Sequence, residues 1–164
     1  LAEGRMNEQP RSLTIWVDAD AAPRDVKDIV ARAALRLEIP TMLVANQRLE
    51  TPANNPFVQS VRVAGGPDVA DDHIAEHAEP GDLAITADIP LASRLVEKGV
   101  KTLDPRGTEY TRENIGERLS IRDFMDQLRS TGVETGGPAS YGAGDKQAFA
   151  SAFDRVLTRL TRGR

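Results

Sequence analysis

An open, mostly parallel α/β sheet of about five strands, with helices on both faces and further helices at the C-terminus, is the fold this sequence predicts. Three observations carry it. Short apolar, β-branched runs alternate with segments of 3.6-residue periodicity, and strands alternating with helices pair in parallel through right-handed crossovers. Two of the helical segments open on a proline, Pro23 and Pro90, just after an acidic strand end. The chain has 164 residues, 40% of them hydrophobic and only 4% aromatic, which suits one core built from Val, Ile, Leu and Ala.

Leu13 to Val17 reads as a buried strand bounded by Asp18. Pro23 fits a first helical position, and Val26, Ile29, Val30, Ala33, Ala34 and Leu37 give that helix one apolar face. Thr41 to Ala45 is a second strand, closed by Asn46. Gln47 to Pro56 is a loop rich in Pro and Asn. Phe57 to Val63 is a third strand, stopped by Gly65-Gly66-Pro67. Val69 to Ala78 has helical spacing. Leu83 to Thr86 is a fourth strand, followed by a helix from Pro90 to a stop at Gly99. Val100 to Leu103 is a fifth, shorter strand.

After Asp104-Pro105-Arg106-Gly107 the strand signal fades. Ile121 to Arg129 reads as a helix begun by Ser120, and Asp145 to Arg162 as a last amphipathic helix. The Gly-rich stretch Thr135 to Gly144 between them reads as mobile. Residues 1–12 carry no such pattern and are set outside the fold, with Met6 a candidate native start. Residues 13–162 are expected to form a single domain.

Composition narrows the function. A net charge of −4 argues against a broad electrostatic grip on a nucleic-acid backbone, although 21 Lys and Arg leave room for a local basic rim. There is no cysteine, which excludes disulfides and thiolate metal sites and fits a reducing cytoplasm. No apolar run reaches the roughly 18 residues of a membrane helix.

Asp18, Asp20 and Asp88 stand out by position. Open α/β sheets bind ligands beyond the carboxyl ends of their strands, where strand order reverses. Asp18 and Asp20 leave the first strand at that end, and Asp88 leaves the fourth. If those strands are neighbours, three carboxylates converge beside two helix N-termini, whose positive ends favour an anion such as a phosphate. Crowded carboxylates repel one another, and Mg²⁺ or Mn²⁺ relieves that repulsion with oxygen ligands and waters. Asp68, Asp71 and Asp72 form a second acidic group, from which Asp71 or Asp72 would complete the cluster. The competing readings are plain ones: a turn or cap for Asp18 and Asp20, a cap for Asp88, and favourable helix-dipole placement for the second group.

Asn46 and Thr86, at strand ends, and Arg94 and Arg122 are the candidate substrate contacts. His73 and His77 share a helix face but lack the peptidase Glu, and a solvent-facing pair is expected. Ser93 has no base near it in sequence. Gly65-Gly66 and Gly136-Gly137 lack the Lys and Ser/Thr of a phosphate-binding loop.

Several blocks together resemble the YaiI/YqxD family of bacterial proteins. They are Trp16-Val17-Asp18-Ala19-Asp20-Ala21-Ala22-Pro23, Val44-Ala45-Asn46-Gln47, Asp68-Val69-Ala70-Asp71, Gly81 to Ala92, Asp104 to Gly107, Arg122 to Asp126 and Thr135 to Pro138. The resemblance runs from about Leu13 to the final helix. Its one departure is Ala22, where the family usually has Cys, so no role of that thiol carries over. The family is uncharacterised biochemically and its fold is thought to be PIN-like. That resemblance implies Asp18, Asp20 and Asp88 as catalytic and metal-site residues, with Asp71 or Asp72 as a fourth ligand. It further implies Mg²⁺ or Mn²⁺ as cofactor and RNA or a nucleotide as partner. Two other readings stay open. An apolar strand followed by Asp18-x-Asp20 also begins haloacid-dehalogenase-like phosphatases, though Ala21 and Ala22 depart from their motif. The acidic mouth would equally serve a non-catalytic binder of metal, nucleotide or RNA.

Overall fold

The computed structural model describes residues 13–136 and 140–162. They build one six-stranded sheet and five helices. In chain order these are β1 (Ile15–Asp18), α1 (Arg24–Leu37), β2 (Thr41–Ala45), β3 (Val58–Arg62), α2 (Val69–His77), β4 (Leu83–Ile85), α3 (Ile89–Lys98), β5 (Lys101–Leu103), β6 (Glu109–Tyr110), α4 (Arg112–Ser130) and α5 (Ala143–Thr161). The strand order is β3-β2-β1-β4-β5-β6. Every pairing is parallel except β5–β6.

The chain therefore lays strands outward from β1 in one direction, then returns to lay β4 on its other side. Ile15, Trp16 and Val17 register against Leu83, Ala84 and Ile85. The adjacency on which the convergence of Asp18 and Asp88 depends is met.

The period of two along β1 divides the core into layers. Ile15 and Val17 face α1 and α5, in a cluster with Val26, Val30, Phe149 and Val156. Phe149 is completely buried and stacks on Phe153 with ring centroids 5.4 Å apart. Trp16 faces the opposite side with Val44 and Ala84, among Ile74 of α2 and Leu91 and Leu95 of α3. The Trp16 indole donates to the buried carboxylate of Asp82 at 3.0 Å, and that carboxylate also accepts from Thr14 N and Glu79 N. Asp82 thus ties β1 to β4 at the amino end of the sheet, leaving the carboxyl end open.

Three elements differ from the sequence reading. A sixth strand exists: β6 is two residues long, too short for any periodicity, and its antiparallel pairing with β5 is made by the turn through Asp104 to Thr108. Helix α4 begins at Arg112, not near Ser120. Thr111 and Asn114 form a reciprocal capping box there, using Asn where Glu or Gln is usual. Helix α5 starts at Ala143, and Pro23 caps α1 rather than opening its first turn.

Candidate functional site

The carboxyl ends of β1 and β4 hold a linked set of groups. Thr86, only 2% exposed, donates its hydroxyl to Asp18 Oδ2 at 2.9 Å and accepts from Asp88 N at 3.0 Å. One threonine thereby sets the Asp18 carboxylate and the backbone of Asp88 in a fixed relation. Asp88 Oδ1 accepts from Leu91 N at 2.8 Å, so Asp88 does cap α3. Capping does not withdraw it from the cluster, because its carboxyl also bonds to Asp71 on α2.

Electrostatics show which acids are together. Burial first, then the charges of Asp88 and Asp20, hold the Asp18 carboxyl above the ordinary carboxylate range, while Thr86 pulls it back down. The Asp71 carboxyl is pushed up to about 6 by burial, then by Asp88, Asp18 and Asp68. Asp18, Asp71 and Asp88 are therefore mutually felt carboxylates, with Asp20 at the edge. Asp20 is exposed, and its Oδ2 accepts from Asn46 N at 2.7 Å, which fastens the turn after β1 to the end of β2. Asn46 takes part through its backbone.

Other candidates lie elsewhere. Asp72 pairs with Arg94 at 2.7 Å on the exposed side of α2, and the two thereby occupy one another. Asp71 and Asp72 are about 100° apart around the helix, so only one of them can face β4. Arg122 pairs with Asp123 and Asp126 on α4. His73 and His77 are less solvent-facing than expected: their rings stack at 4.0 Å, and the His73 ring lies edge-on to Trp16. Burial, then His77, lowers the His73 pKa. The segment 135–144 falls partly on residues 137–139, outside the described residues. Its end is anchored, since Tyr141 donates to Pro105 O at 2.8 Å and Arg106 lies over the Tyr141 ring and pairs with Asp145.

Sequence reading passed over Asp104 and Tyr110. Asp104 closes β5 much as Asp18 closes β1, which was the available signal. Its carboxylate accepts from Arg106 N at 2.6 Å and from the Tyr110 hydroxyl at 3.4 Å. Burial, then Asp104, pushes the Tyr110 hydroxyl up to about 12, with Asp88 adding to it and Arg118 opposing. Gly107 closes this turn at φ +94°, and a Cβ there would sit 2.7 Å from Ala148 O, so only glycine lets the loop lie on α5.

The donor set is all oxygen and mostly anionic, which suits a hard divalent cation. Among the described residues, no three His, Asp or Glu side chains form a ready-made coordination cage. The arrangement thus fits an ion held by one or two carboxylates and several waters better than an all-protein cage. The edge is also open. Two grooves of about 500 and 590 Å³ flank α1, and neither is lined by Asp18, Asp71 or Asp88.

Residues 16–159 match the model of the family described as uncharacterized BCR, YaiI/YqxD family. Among curated proteins, a UPF0178 protein of Myxococcus xanthus is 57% identical over 92% of this chain and 97% of its own length. One from Citrifermentans bemidjiense is 59% identical over the same shares, and one from Hahella chejuensis 51% identical over 92% and 99%. No solved structure matches the chain.

Proposed function

The chain belongs to the uncharacterized YaiI/YqxD family, and from that premise we propose that its acidic sheet edge binds Mg²⁺ or Mn²⁺ and hydrolyses phosphodiester bonds in RNA, as a PIN-like domain. The observation that supports this most is the pairing of β1 with β4, which sets Asp18 and Asp88 at the reversal of strand order, with Asp71 brought in from α2. Asp18, Asp71 and Asp88 would hold the ion. A bound divalent ion supplies a water of lowered pKa and a counter-charge to the phosphodiester.

The chain's own groups do the positioning. Thr86 fixes the rotation of Asp18, and the cap to Leu91 fixes Asp88. The amino end of α3 favours a phosphate oxygen there. Asp20, held by Asn46 N, orients a water from the exposed side. An open edge suits a polymer better than an enclosed small molecule. No described helix is long and apolar enough to cross a membrane, and a cysteine-free chain suits the reducing cytoplasm.

The test is cleavage of single-stranded RNA with Mn²⁺ by wild type, Asp18→Asn, Asp71→Asn and Asp88→Asn. Asn still caps a helix and still accepts from Thr86, so these variants keep the fold. Activity should fall at least ~100-fold in each. Activity that survives all three substitutions sinks the assignment. Calorimetry on the same proteins gives the other arm: tight Mn²⁺ binding without turnover of RNA or phosphate esters favours a non-catalytic binder.

A further inference from the structure

Helix α4 is an outlier. It spans 19 residues, yet none of them is buried, whereas α1, α2, α3 and α5 each bury several. Its first half docks on α3, with Ile115 packed near Ala92, Val96 and Tyr110. Its second half carries Ile121, Phe124, Met125 and Leu128, at positions i, i+3, i+4 and i+7. That spacing makes one apolar stripe, and at 100° per residue it lies on a different face from Ile115. Ile121 and Phe124 are 53% and 59% exposed, and Val133, just past the helix end, is 48% exposed. These are three of the five exposed large hydrophobics among the described residues. An amphipathic helix gains most of its stability by burying such a stripe, so this one is built for a partner.

The charges around the stripe say what that partner is. Helix α4 carries Arg112, Arg118, Arg122 and Arg129 against Glu113, Glu117, Asp123 and Asp126, so its formal charges cancel. Arg122 and Arg129, which flank the stripe, are already paired to Asp123 and Asp126 of the same helix. A strongly charged partner finds no handle here. A face placed against its own copy doubles whatever net charge it has, and this face has none to double. We propose that the second half of α4 is a homodimer interface, in which the Ile121–Leu128 stripes of two copies pack across a two-fold axis.

One helix face of this length reaches only the low end of specific interfaces, so the expected dissociation constant is micromolar. Sedimentation equilibrium of the full chain, from about 1 to 200 μM, should show a monomer–dimer equilibrium. The double variant Ile121→Glu/Phe124→Glu should weaken it at least about 100-fold with an unchanged circular dichroism spectrum, because its stripe is solvent-facing within the monomer. Crosslinking gives a readout independent of that variant. The chain has no cysteine, and either two-fold arrangement brings the middle of the stripe against itself. Met125→Cys with oxidised glutathione should therefore form a disulfide dimer. Leu35→Cys, exposed on α1, should not. A wild-type chain that stays monomeric across the range overturns the proposal. So does a dimer that survives the double variant, or Met125→Cys that crosslinks no faster than Leu35→Cys.

Discussion

Replacing Thr86 by valine keeps the shape of the side chain and removes one oxygen. That oxygen makes two bonds, to Asp18 Oδ2 at 2.9 Å and from Asp88 N at 3.0 Å. A bond to a carboxylate contributes roughly 1.5–3 kcal/mol and a neutral one roughly 1 kcal/mol. Asp18 and Asp88 are partly open to water, which offsets part of that loss, leaving a net cost of about 2 kcal/mol. For a chain of this size that lowers Tm by about 4–8 °C.

The loss depends on pH. The Asp18 carboxyl lies above its ordinary 3.8 in the folded protein. Its contribution to stability is therefore fully present below the unfolded value and is lost as pH rises through the folded one. The Thr86 hydroxyl limits that loss, because it lowers the Asp18 pKa. Without it the folded pKa moves further up and the loss deepens. The Tm gap between Thr86→Val and wild type should thus be widest near about pH 7.5 and narrow toward about pH 4, where protonated Asp18 needs no donor. Thermal melts by circular dichroism at the two pH values, in chelator, measure it. A variant as stable as wild type, or a gap equal at both pH values, refutes the assignment of this hydroxyl to the ionised carboxylate.

Other perturbations test neighbouring parts. In chelator near about pH 7.5, Asp71→Asn should be more stable than wild type by about 1 kcal/mol, discounted for its solvent exposure. The Asp71 carboxyl is pushed up to about 6, so its contribution is present below its unfolded value and lost through about 6. The gain should fade below that pH, and added Mn²⁺ should raise the Tm of wild type more than that of the variant. A variant melting below wild type at neutral pH counts against the crowding. Asp82→Asn turns an amide toward three donors and should cost about 2–3 kcal/mol in urea titrations, with a shift in the fluorescence of Trp16, the single tryptophan. Gly107→Ala, at φ +94° and with its Cβ 2.7 Å from Ala148 O, should cost about 2–4 kcal/mol. Wild-type stability there would show that the loop stands clear of α5.

Much of this fold is written in local pattern. β1, β2, β4 and β5 are apolar runs that no helical period explains, and α1 and α3 open beside prolines, so their existence follows from side-chain spacing alone. Elements without such a signal escaped. β6 has two residues, and its identity as a strand lies wholly in its bonds to β5. The true start of α4 rests on a capping box whose third position is Asn114. The candidate site divides in the same way. Asp18, Asp20 and Asp88 are visible because acids at strand ends are conspicuous in an apolar context.

What local sequence determined, then, is which residues are strands, which are helices and which acids stand at the carboxyl end, because hydrophobic period and turn chemistry act over a few residues. Tertiary structure decided which of them meet. Asp71 joins the cluster and Asp72 turns to Arg94, although they are adjacent in sequence, because the packing of α2 against β1 and β2 sets its rotation. Asp104 enters because β5 lies beside β4. Thr86 becomes the joint between two strands 68 residues apart in sequence, since long-range pairing is fixed by the burial of whole faces and no short stretch of chain encodes it.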